Sequence, residues 1–434
     1  MRKSKDGSRM SIPNLEHRLS GLVRWLGVDR SDRAVWTAWY IPGRIELLGK
    51  HTDYAGGRSL LAAVDRGICC VGAPRTDGRL SIVDTKRRSS VLLDPNLLEP
   101  SINWANYPLT VLRRLNRNFP GMVGGADLVF DSDLPSASGL SSSSALMIAA
   151  LLTLRDVNHL EATDQWRTSI STVEDLAAYA ATIENGSGFR ALPGERGVGT
   201  MGGSEDHTAI LCSRPGQLAQ YSFRPTRWER TIAFPGDWVL AIGVSGVRAQ
   251  KTGNAKDAYN RAATSAAEIL ARWQHSTGRQ DDTLAAAVAS SPEAAAHIRR
   301  LLHDEPLLVP RFEQFLEEST VLVARAGDQL LASDMAGFGT TVARSQYLAE
   351  RMLGNQVPET ISLAQLARGA GASAASAFGA GFGGSVWALV ERSSAADFLN
   401  QWQNAYAERH PDAARRATFF LTEPGPAARR LIDA

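Results

Sequence analysis

A run of small and hydroxyl-bearing residues at positions 133–146 carries more chemical information than any other part of the sequence: Asp-Leu-Pro-Ser-Ala-Ser-Gly-Leu-Ser-Ser-Ser-Ser-Ala-Leu. The run contains no lysine, so it lacks the Gly-Lys-Ser/Thr of a Walker loop. Backbone N–H groups and serine hydroxyls at a helix start can still bind phosphate, and serine oxygens suit Mg²⁺. Taken alone, however, such a run can simply cap a helix. Both interpretations, a phosphate loop and a capped helix start, fit the residues.

The segments around this run indicate which elements would position it. Residues 126–133 (ADLVFDSD) are typical of a strand, because β-branched and aromatic residues lie between turn-forming ones. Residues 141–157 and 172–185 carry apolar residues at helical spacing. We therefore expect the serine run to join the end of a strand to the start of a helix. The polar, glycine-containing stretch 185–206 is predicted to be a loop that leads into a site.

The chain as a whole predicts an α+β fold with two lobes. Short β-branched runs with turn signals dominate the first part and indicate a sheet-rich lobe. Alanine-rich amphipathic stretches dominate after Asn254, and we expect helices over 254–273, 310–335 and 362–376. Strand-like segments at 385–390 and 417–422 surround a helical one and close the chain. The predicted domains are 12–230 and 231–434, the second a helix-rich α+β lobe.

Composition excludes several classes of function. Among 434 residues, 47 Lys and Arg nearly balance 45 Asp and Glu, so nucleic acid is not an expected partner. No apolar run of signal-peptide length follows the basic start, and none approaches the ~20 residues that span a bilayer. We therefore expect a cytoplasmic protein without a membrane partner. Its three cysteines, Cys69, Cys70 and Cys212, are expected to be buried apolar residues and not metal ligands.

Three ordered segments resemble the signatures of the GHMP kinases, the family of galactokinase, homoserine kinase, mevalonate kinase and phosphomevalonate kinase. The serine run resembles the second signature. Residues 42–57 (PGRIELLGKHTDYAGG) resemble the galactokinase signature Gly-Arg-x-Asn-x-x-Gly-Glu-His-x-Asp-Tyr, and residues 379–385 (GAGFGGS) resemble the third, a glycine turn against the nucleotide loop. Trp104 with Asn106-Tyr107, and Tyr259-Asn260-Arg261, resemble further galactokinase elements. The chain is thus identified as a galactokinase-like member, with the two-lobed fold of that family.

The resemblance implies that ATP and Mg²⁺ are the cofactors. It assigns Mg²⁺ to Ser143, or its neighbour Ser142, together with Glu184; a solvated helix end is the alternative for Glu184. It assigns ATP to a set of residues from the serine run and the glycine turn: Pro135, Ser136, Ala137, Ser138, Gly139, Leu140, Ser141, Ser142, Ser143, Gly381 and Gly383.

The resemblance also implies the catalytic residues. In galactokinases the base is the Asp of a Gly-x-Met-Asp-Gln element, and the similar stretch here is Met201-Gly-Gly-Ser-Glu-Asp-His207. Asp206 is therefore the expected base, with Glu205 as the other carboxylate that could align. Arg44 matches the arginine that the family holds beside this Asp, where a cation keeps the carboxylate ionised. The alternatives are an acidic pair at a helix start and a surface arginine.

The sugar pocket of the family maps onto Lys50, His51, Asp53 and Tyr259. Lys50 departs from the pattern, since galactokinases have Glu there, facing the C6 hydroxyl of the sugar. A cation suits a carboxylate, which suggests a uronic acid such as galacturonate as substrate. Lys50 could instead pair with Glu46, which replaces the Asn of the family and would leave specificity unchanged.

The implied activity is ATP-dependent phosphorylation of the anomeric C1 hydroxyl of galactose or a related sugar. A sensor that binds sugar and ATP without efficient turnover is the alternative. The expected partners are the sugar and ATP. The oligomeric state and the role of the long loop 186–199 do not follow from the sequence.

Overall fold

Two β-sheets organise the protein. The computed structural model describes residues 14–28, 36–99, 103–136, 138–248 and 254–431. Within these ranges, eight strands belong to the first sheet and four to the second. The predicted α+β fold, with its sheet-rich first lobe and its helix-rich second one, is confirmed.

The first sheet is built around one long strand, β2. Its second half pairs with β5 and its first half with β6, and β1 runs antiparallel to it from Thr37 opposite Gly72 to Leu48 opposite Leu60. β3 pairs with β5 in parallel. The strands of this sheet are β1 (Thr37–Leu48), β2 (Arg58–Pro74), β3 (Leu80–Asp84), β4 (Ser89–Leu93), β5 (Ala126–Ser132), β6 (Gln217–Ser222), β7 (Arg227–Ala233) and β12 (Arg429–Arg430).

Helices cover the sheet, and the most buried of them starts at the serine run. α3 carries apolar residues on nearly all sides because it packs against β1, β2 and α2 at once. Cys69 and Cys70 are buried as expected, and Cys212 is half-buried. The helices of this lobe are α1 (Leu15–Leu26), α2 (Asn106–Asn118), α3 (Ser142–Val157), α4 (Asp164–Ser169), α5 (Val173–Asn185) and α6 (Glu205–Cys212).

The second sheet is antiparallel, in the order β11, β8, β10, β9. Its strands are β8 (Trp238–Val244), β9 (Ala374–Phe378), β10 (Ser385–Glu391) and β11 (Thr418–Thr422). The helices of this lobe are α7 (Asn254–Thr277), α8 (Leu284–Ala289), α9 (Ala294–Leu301), α10 (Leu308–Glu317), α11 (Val323–Leu331), α12 (Met335–Leu348), α13 (Pro358–Gly369), α14 (Ala395–Arg409) and α15 (Pro411–Ala414).

Two details differ from the sequence expectation. The helix predicted over 362–376 ends at Gly369, and Ala374–Phe378 forms β9, because these alanines pair with β10 in the interior of the second sheet. The last strand, β12, returns from the second lobe to pair with Trp39 and Tyr40 of β1. The chain passes from the first sheet to the second between Ala233, the end of β7, and Trp238, the start of β8. The division into domains at 230/231 stays a prediction.

None of the helices in the described residues combines the length and apolar character that crossing a membrane requires.

Candidate active site

A cavity of 540 Å³ opens where β1, the turn before α3, the start of α6 and the glycine turn before β10 meet. Residues far apart in the sequence line this one space. The sequence-predicted residues on its wall are Arg44, His51, Asp53, Ser136, Gly139, Ser141, Ser142, Ser143, Glu184, Asp206 and Tyr259.

Arg44 connects the serine run to the start of α6. It is buried in β1, and its Nε donates to Asp206 Oδ1 at 2.7 Å. Its Nη1 donates to the carbonyl oxygen of Gly139, and its backbone N–H donates to that of Leu140 at 3.2 Å. The hydroxyl of Ser144, in the first turn of α3, donates to Asp206 Oδ2 at 3.3 Å. One arginine therefore fixes the carboxylate and the serine run relative to each other.

Glu205 and Asp206 lie side by side but in different environments. The Asp206 side chain is 18% exposed and pairs with Arg44. Glu205 lies deeper and accepts a hydrogen bond of 2.6 Å from the Ser59 hydroxyl. Burial, and then the negative charges of Glu46 and Asp53, raise the pKa of Glu205 well above its ordinary value. Asp206 is the more exposed of the two carboxyl groups and is held by Arg44, so the geometry favours Asp206 over Glu205 as the candidate base.

The serine run forms the turn between β5 and α3, as expected. Ser141 adopts a left-handed conformation, with φ of 58°, at the N-cap of α3 and makes no capping hydrogen bond. Its hydroxyl oxygen is buried and has no hydrogen-bond partner among the described residues. An orphan hydroxyl beside an uncapped helix N-terminus fits a phosphate group. Pro135, Ser138 and Leu140 lie outside the cavity wall, and Ala137 lies outside the described residues.

The glycine turn contacts this serine run directly. Gly379 has φ of 78°, and a Cβ there would lie 3.0 Å from the Gly139 carbonyl oxygen and 3.3 Å from Arg44 Nη2. Only glycine fits such a position. Gly379 and Ala380 line the cavity, whereas Gly381 and Gly383 do not. The turn therefore packs against the serine run as predicted, and the glycine that lines the cavity, Gly379, differs from the two expected to bind ATP.

Glu184 and the serines of α3 supply oxygen atoms that fit Mg²⁺. Glu184 is buried in the last turn of α5 and accepts a hydrogen bond of 3.2 Å from the Ser144 hydroxyl. His207 Nε2 lies 3.4 Å from Glu184 Oε2, and neither ring nitrogen has a hydrogen-bond partner among the described residues. Ser142 and Ser143 line the same wall. A carboxylate beside hydroxyls is the hard oxygen environment that Mg²⁺ prefers.

Asp53, His51 and Tyr259 lie together in the cavity wall. Asp53 Oδ2 accepts a hydrogen bond of 3.1 Å from the Glu205 backbone, and a Cβ at Gly203 would lie 2.5 Å from that oxygen. His51 binds the Tyr54 hydroxyl and the Ala380 carbonyl oxygen, each at 3.0 Å, and its ring centroid lies 5.2 Å from that of Tyr259. Two tight contacts therefore fix the orientation of the His51 ring.

Lys50 does not line the cavity, contrary to the sequence expectation. Only 1% of the residue is exposed, and Nζ donates to the Ser345 hydroxyl at 3.1 Å. The backbone N–H groups of Gly49 and Lys50 both donate to Glu318. These contacts with the second lobe draw Lys50 away from the cavity, and the carboxyl group of Glu46 lines the wall instead.

The end of the cavity near the hairpin of β3 and β4 is lined by apolar side chains. The sequence analysis predicted no function for these apolar residues. Arg87 extends from the hairpin of β3 and β4, where it pairs with Asp84 at 2.7 Å and donates to the Ser136 hydroxyl. Trp104 and Tyr107 of the galactokinase-like element lie here, which is the signal that could have located this end. Its apolar side chains are Ile68, Trp104, Tyr107, Phe130, Leu134 and Leu146.

Comparison with known proteins supports the sequence resemblance. Residues 106–190 match the GHMP kinases N terminal domain, residues 328–408 the GHMP kinases C terminal domain, and residues 29–74 the galactokinase galactose-binding signature. A galactokinase of Roseiflexus sp. strain RS-1 is 27% identical over 394 residues, which are 90% of this chain and 92% of that protein. A galactokinase of Thermococcus kodakarensis is 27% identical over 86% of this chain and 94% of its own.

The fold agrees with a solved structure. The galactokinase of Lactococcus lactis, determined in complex with galactose, superposes with a TM-score of 0.78 at 22% identity, covering 96% of this chain and 100% of that one. The sequence signatures, the relatives of nearly the same length and the shared fold all indicate the same family. The chain belongs to the GHMP kinases, among their galactokinase-like members.

Proposed function

We propose that this protein is an ATP-dependent sugar kinase that phosphorylates the C1 hydroxyl of galactose or a closely related neutral hexose. The ion pair of Arg44 with Asp206, held against the phosphate-binding turn by the Gly139 carbonyl, carries the proposal. The relatives named galactokinase and the galactose complex of the Lactococcus lactis protein support the substrate class.

In this proposal the chain contributes position and charge, which phosphoryl transfer requires more than covalent chemistry. Asp206 accepts the proton of the attacking hydroxyl at a carboxylate oxygen. Arg44 orients that carboxylate and neutralises charge that develops beside the serine run. Asp53 accepts hydrogen bonds from sugar hydroxyls and so orients the sugar.

ATP and Mg²⁺ fit neighbouring parts of the cavity wall. Ser141 and the N-terminus of α3 would hold phosphate oxygens, and Ser142 or Ser143 with Glu184 would hold the metal ion. When bound, Mg²⁺ supplies positive charge to the β- and γ-phosphate oxygens. The apolar end around Trp104 and Phe130, whose ring centroids lie 6.2 Å apart, suits a flat base such as adenine.

A neutral sugar fits the charges of the cavity better than a uronic acid does. Lys50, which suggested a uronic acid, is buried against Ser345. Carboxyl groups of Glu46, Asp53 and Asp206 line the wall instead. A substrate carboxylate would meet like charges there, whereas hydroxyl groups would find acceptors.

A panel of monosaccharides tests the function. We expect ADP release with galactose and no measurable release with galacturonate, since the latter would place a negative charge among carboxylates. A coupled ADP assay on the purified protein, run with each sugar, measures this. Stabilisation by sugar without ADP release would indicate the sensor instead, and turnover of galacturonate above that of galactose would contradict the neutral-sugar assignment.

Arg87 is expected to contribute to nucleotide binding. Arg87→Ala should raise KM for ATP about tenfold with little change in kcat, because a cation bonded to Ser136 attracts phosphate in both ground and transition states. Steady-state kinetics at saturating sugar would measure both constants. Arg88→Asn removes a neighbouring cation outside the cavity wall and serves as the matched control; an equal effect of the two variants would contradict a role specific to Arg87.

A further inference from the structure

Two carboxyl groups of the cavity wall, those of Glu46 and Glu205, take no part in the phosphoryl transfer described above. Glu46 lies on β1, and Glu205 is the first residue of α6. They are 2% and 6% exposed, yet both line the cavity. The galactokinase elements have uncharged Asn and Met at these positions. Burying two acids side by side is unfavourable unless they are paired, and such pairs are frequent at functional sites.

The carboxyl groups of Glu46 and Glu205 lie close enough for each to affect the pKa of the other. Two such neighbouring carboxyl groups can share a hydrogen bond only if one carries a proton. Glu205 Oε2 accepts from the Ser59 hydroxyl at 2.6 Å, and Glu46 Oε2 accepts from the Gly379 backbone at 3.3 Å. Glu46 Oε1 is buried and receives no hydrogen bond from any other donor among the described residues. A proton held by Glu205 would complete this arrangement.

The charges around the pair favour one shared proton. Burial raises the pKa of Glu46 to about 7; Lys50 and Arg44 oppose this rise, and Glu318 adds to it. Burial also raises the pKa of Glu205, and Glu46, Asp53 and Asp206 act in the same direction against Arg44. The two groups are coupled, so the pair titrates as a unit. The pair therefore keeps a proton to higher pH than two isolated carboxyl groups would.

The geometry points to a sugar-recognition element in which Glu46 and Glu205 share one proton and offer a donor and an acceptor to substrate hydroxyls. The inference rests on the proposed function and deepens it. The galactokinase pattern places the acceptor for the C6 side at position 50, but here Lys50 faces Ser345 and Glu46 lines the wall. The chain therefore departs from the galactokinase pattern at both positions in a related way: position 50 loses its acceptor, and position 46 gains one.

Galactose binding as a function of pH tests the inference without any mutation. Calorimetry on the wild-type protein without nucleotide should show galactose affinity falling about tenfold as the pH rises above about 7, because loss of the shared proton leaves two like charges. Glu205→Gln keeps a hydrogen-bond donor at every pH, so its affinity should stay near the wild-type value at pH 7 and lose the alkaline decline. Glu46→Gln should raise KM for galactose about tenfold with little change in kcat.

Glu318→Gln is the matched control. Glu318 lies on the other side of Lys50, outside the cavity wall, and its Oε1 accepts from Gly49 and Ser345. An unchanged KM in this variant supports direct contact by Glu46, and a loss equal to that of Glu46→Gln overturns it. The inference would also be wrong if the wild-type protein phosphorylated galactose but bound it with the same affinity at every pH tested. The proposed kinase function would be unaffected by that result. Absence of turnover with every sugar of the panel would instead reject the function.

Discussion

Asp206→Asn is expected to lower kcat by about 10³-fold while leaving ATP binding unchanged. The amide cannot accept the proton of the sugar hydroxyl, but its oxygen can still accept the hydrogen bond from Arg44 Nε. The cavity should therefore keep its shape and lose only the base. Single-turnover assays of ADP release and equilibrium titration with a fluorescent ATP analogue would measure the two effects separately.

Asp328→Asn is a suitable control for this substitution. Asp328 is an exposed carboxylate in α11 that pairs with Arg230 at 2.5 Å, outside the cavity wall. Its replacement should leave kcat unchanged, because exposed ion pairs contribute little to stability. Near-normal turnover in Asp206→Asn would mean that another group takes the proton.

The predicted site residues that do line the cavity are those whose position depends on local structure. Ser141 to Ser143 follow β5 and start α3, so the strand–turn–helix pattern alone places their hydroxyls at a helix N-terminus. Asp206 lies in the first turn of α6 for the same reason. The ordered signatures then indicated that these local structures meet in one cavity, which periodicity alone does not show.

Lys50 was expected in the sugar pocket but does not line the cavity, because residues distant in the sequence determine where its side chain points. Its ammonium group binds Ser345, 295 positions away, and its backbone binds Glu318. Neither partner belongs to a signature, so no local pattern could show that Lys50 turns away and that Glu46 lines the wall. The choice between Glu205 and Asp206 was open for a similar reason, since it depends on Ser59 and Arg44 from neighbouring strands.

The strand at Ala374–Phe378 shows the same limit for the fold. Alanine favours helices, and the alanine-rich stretch 362–376 reads as one. The small side chains are needed instead to bury β9 fully beside β10 under α12 and α13. Burial in the second sheet outweighs a propensity of a few tenths of a kcal/mol per residue.

Arg44→Lys is expected to lower kcat by about 10²-fold, although the charge is kept. The guanidinium group bonds the Gly139 carbonyl through Nη1 and Asp206 through Nε. A lysine offers a single ammonium group and cannot reproduce this fork. Steady-state kinetics with saturating ATP and sugar would measure the loss. Arg58→Lys alters a half-exposed pair with Glu229 on β2 and should have little effect, so equal losses in both variants would contradict the special role of Arg44.

Combining Arg44→Lys with Asp206→Asn tests whether the two residues act as a unit. If Arg44 acts mainly by orienting the base, its replacement matters little once the base is gone, and the double variant should be about as slow as Asp206→Asn alone. If Arg44 mainly stabilises charge on the transferred phosphoryl group, the two losses should multiply. The hydrogen bond of 2.7 Å between Arg44 and Asp206 favours the first outcome, whereas fully multiplicative losses would show that the arginine acts independently of the carboxylate it contacts.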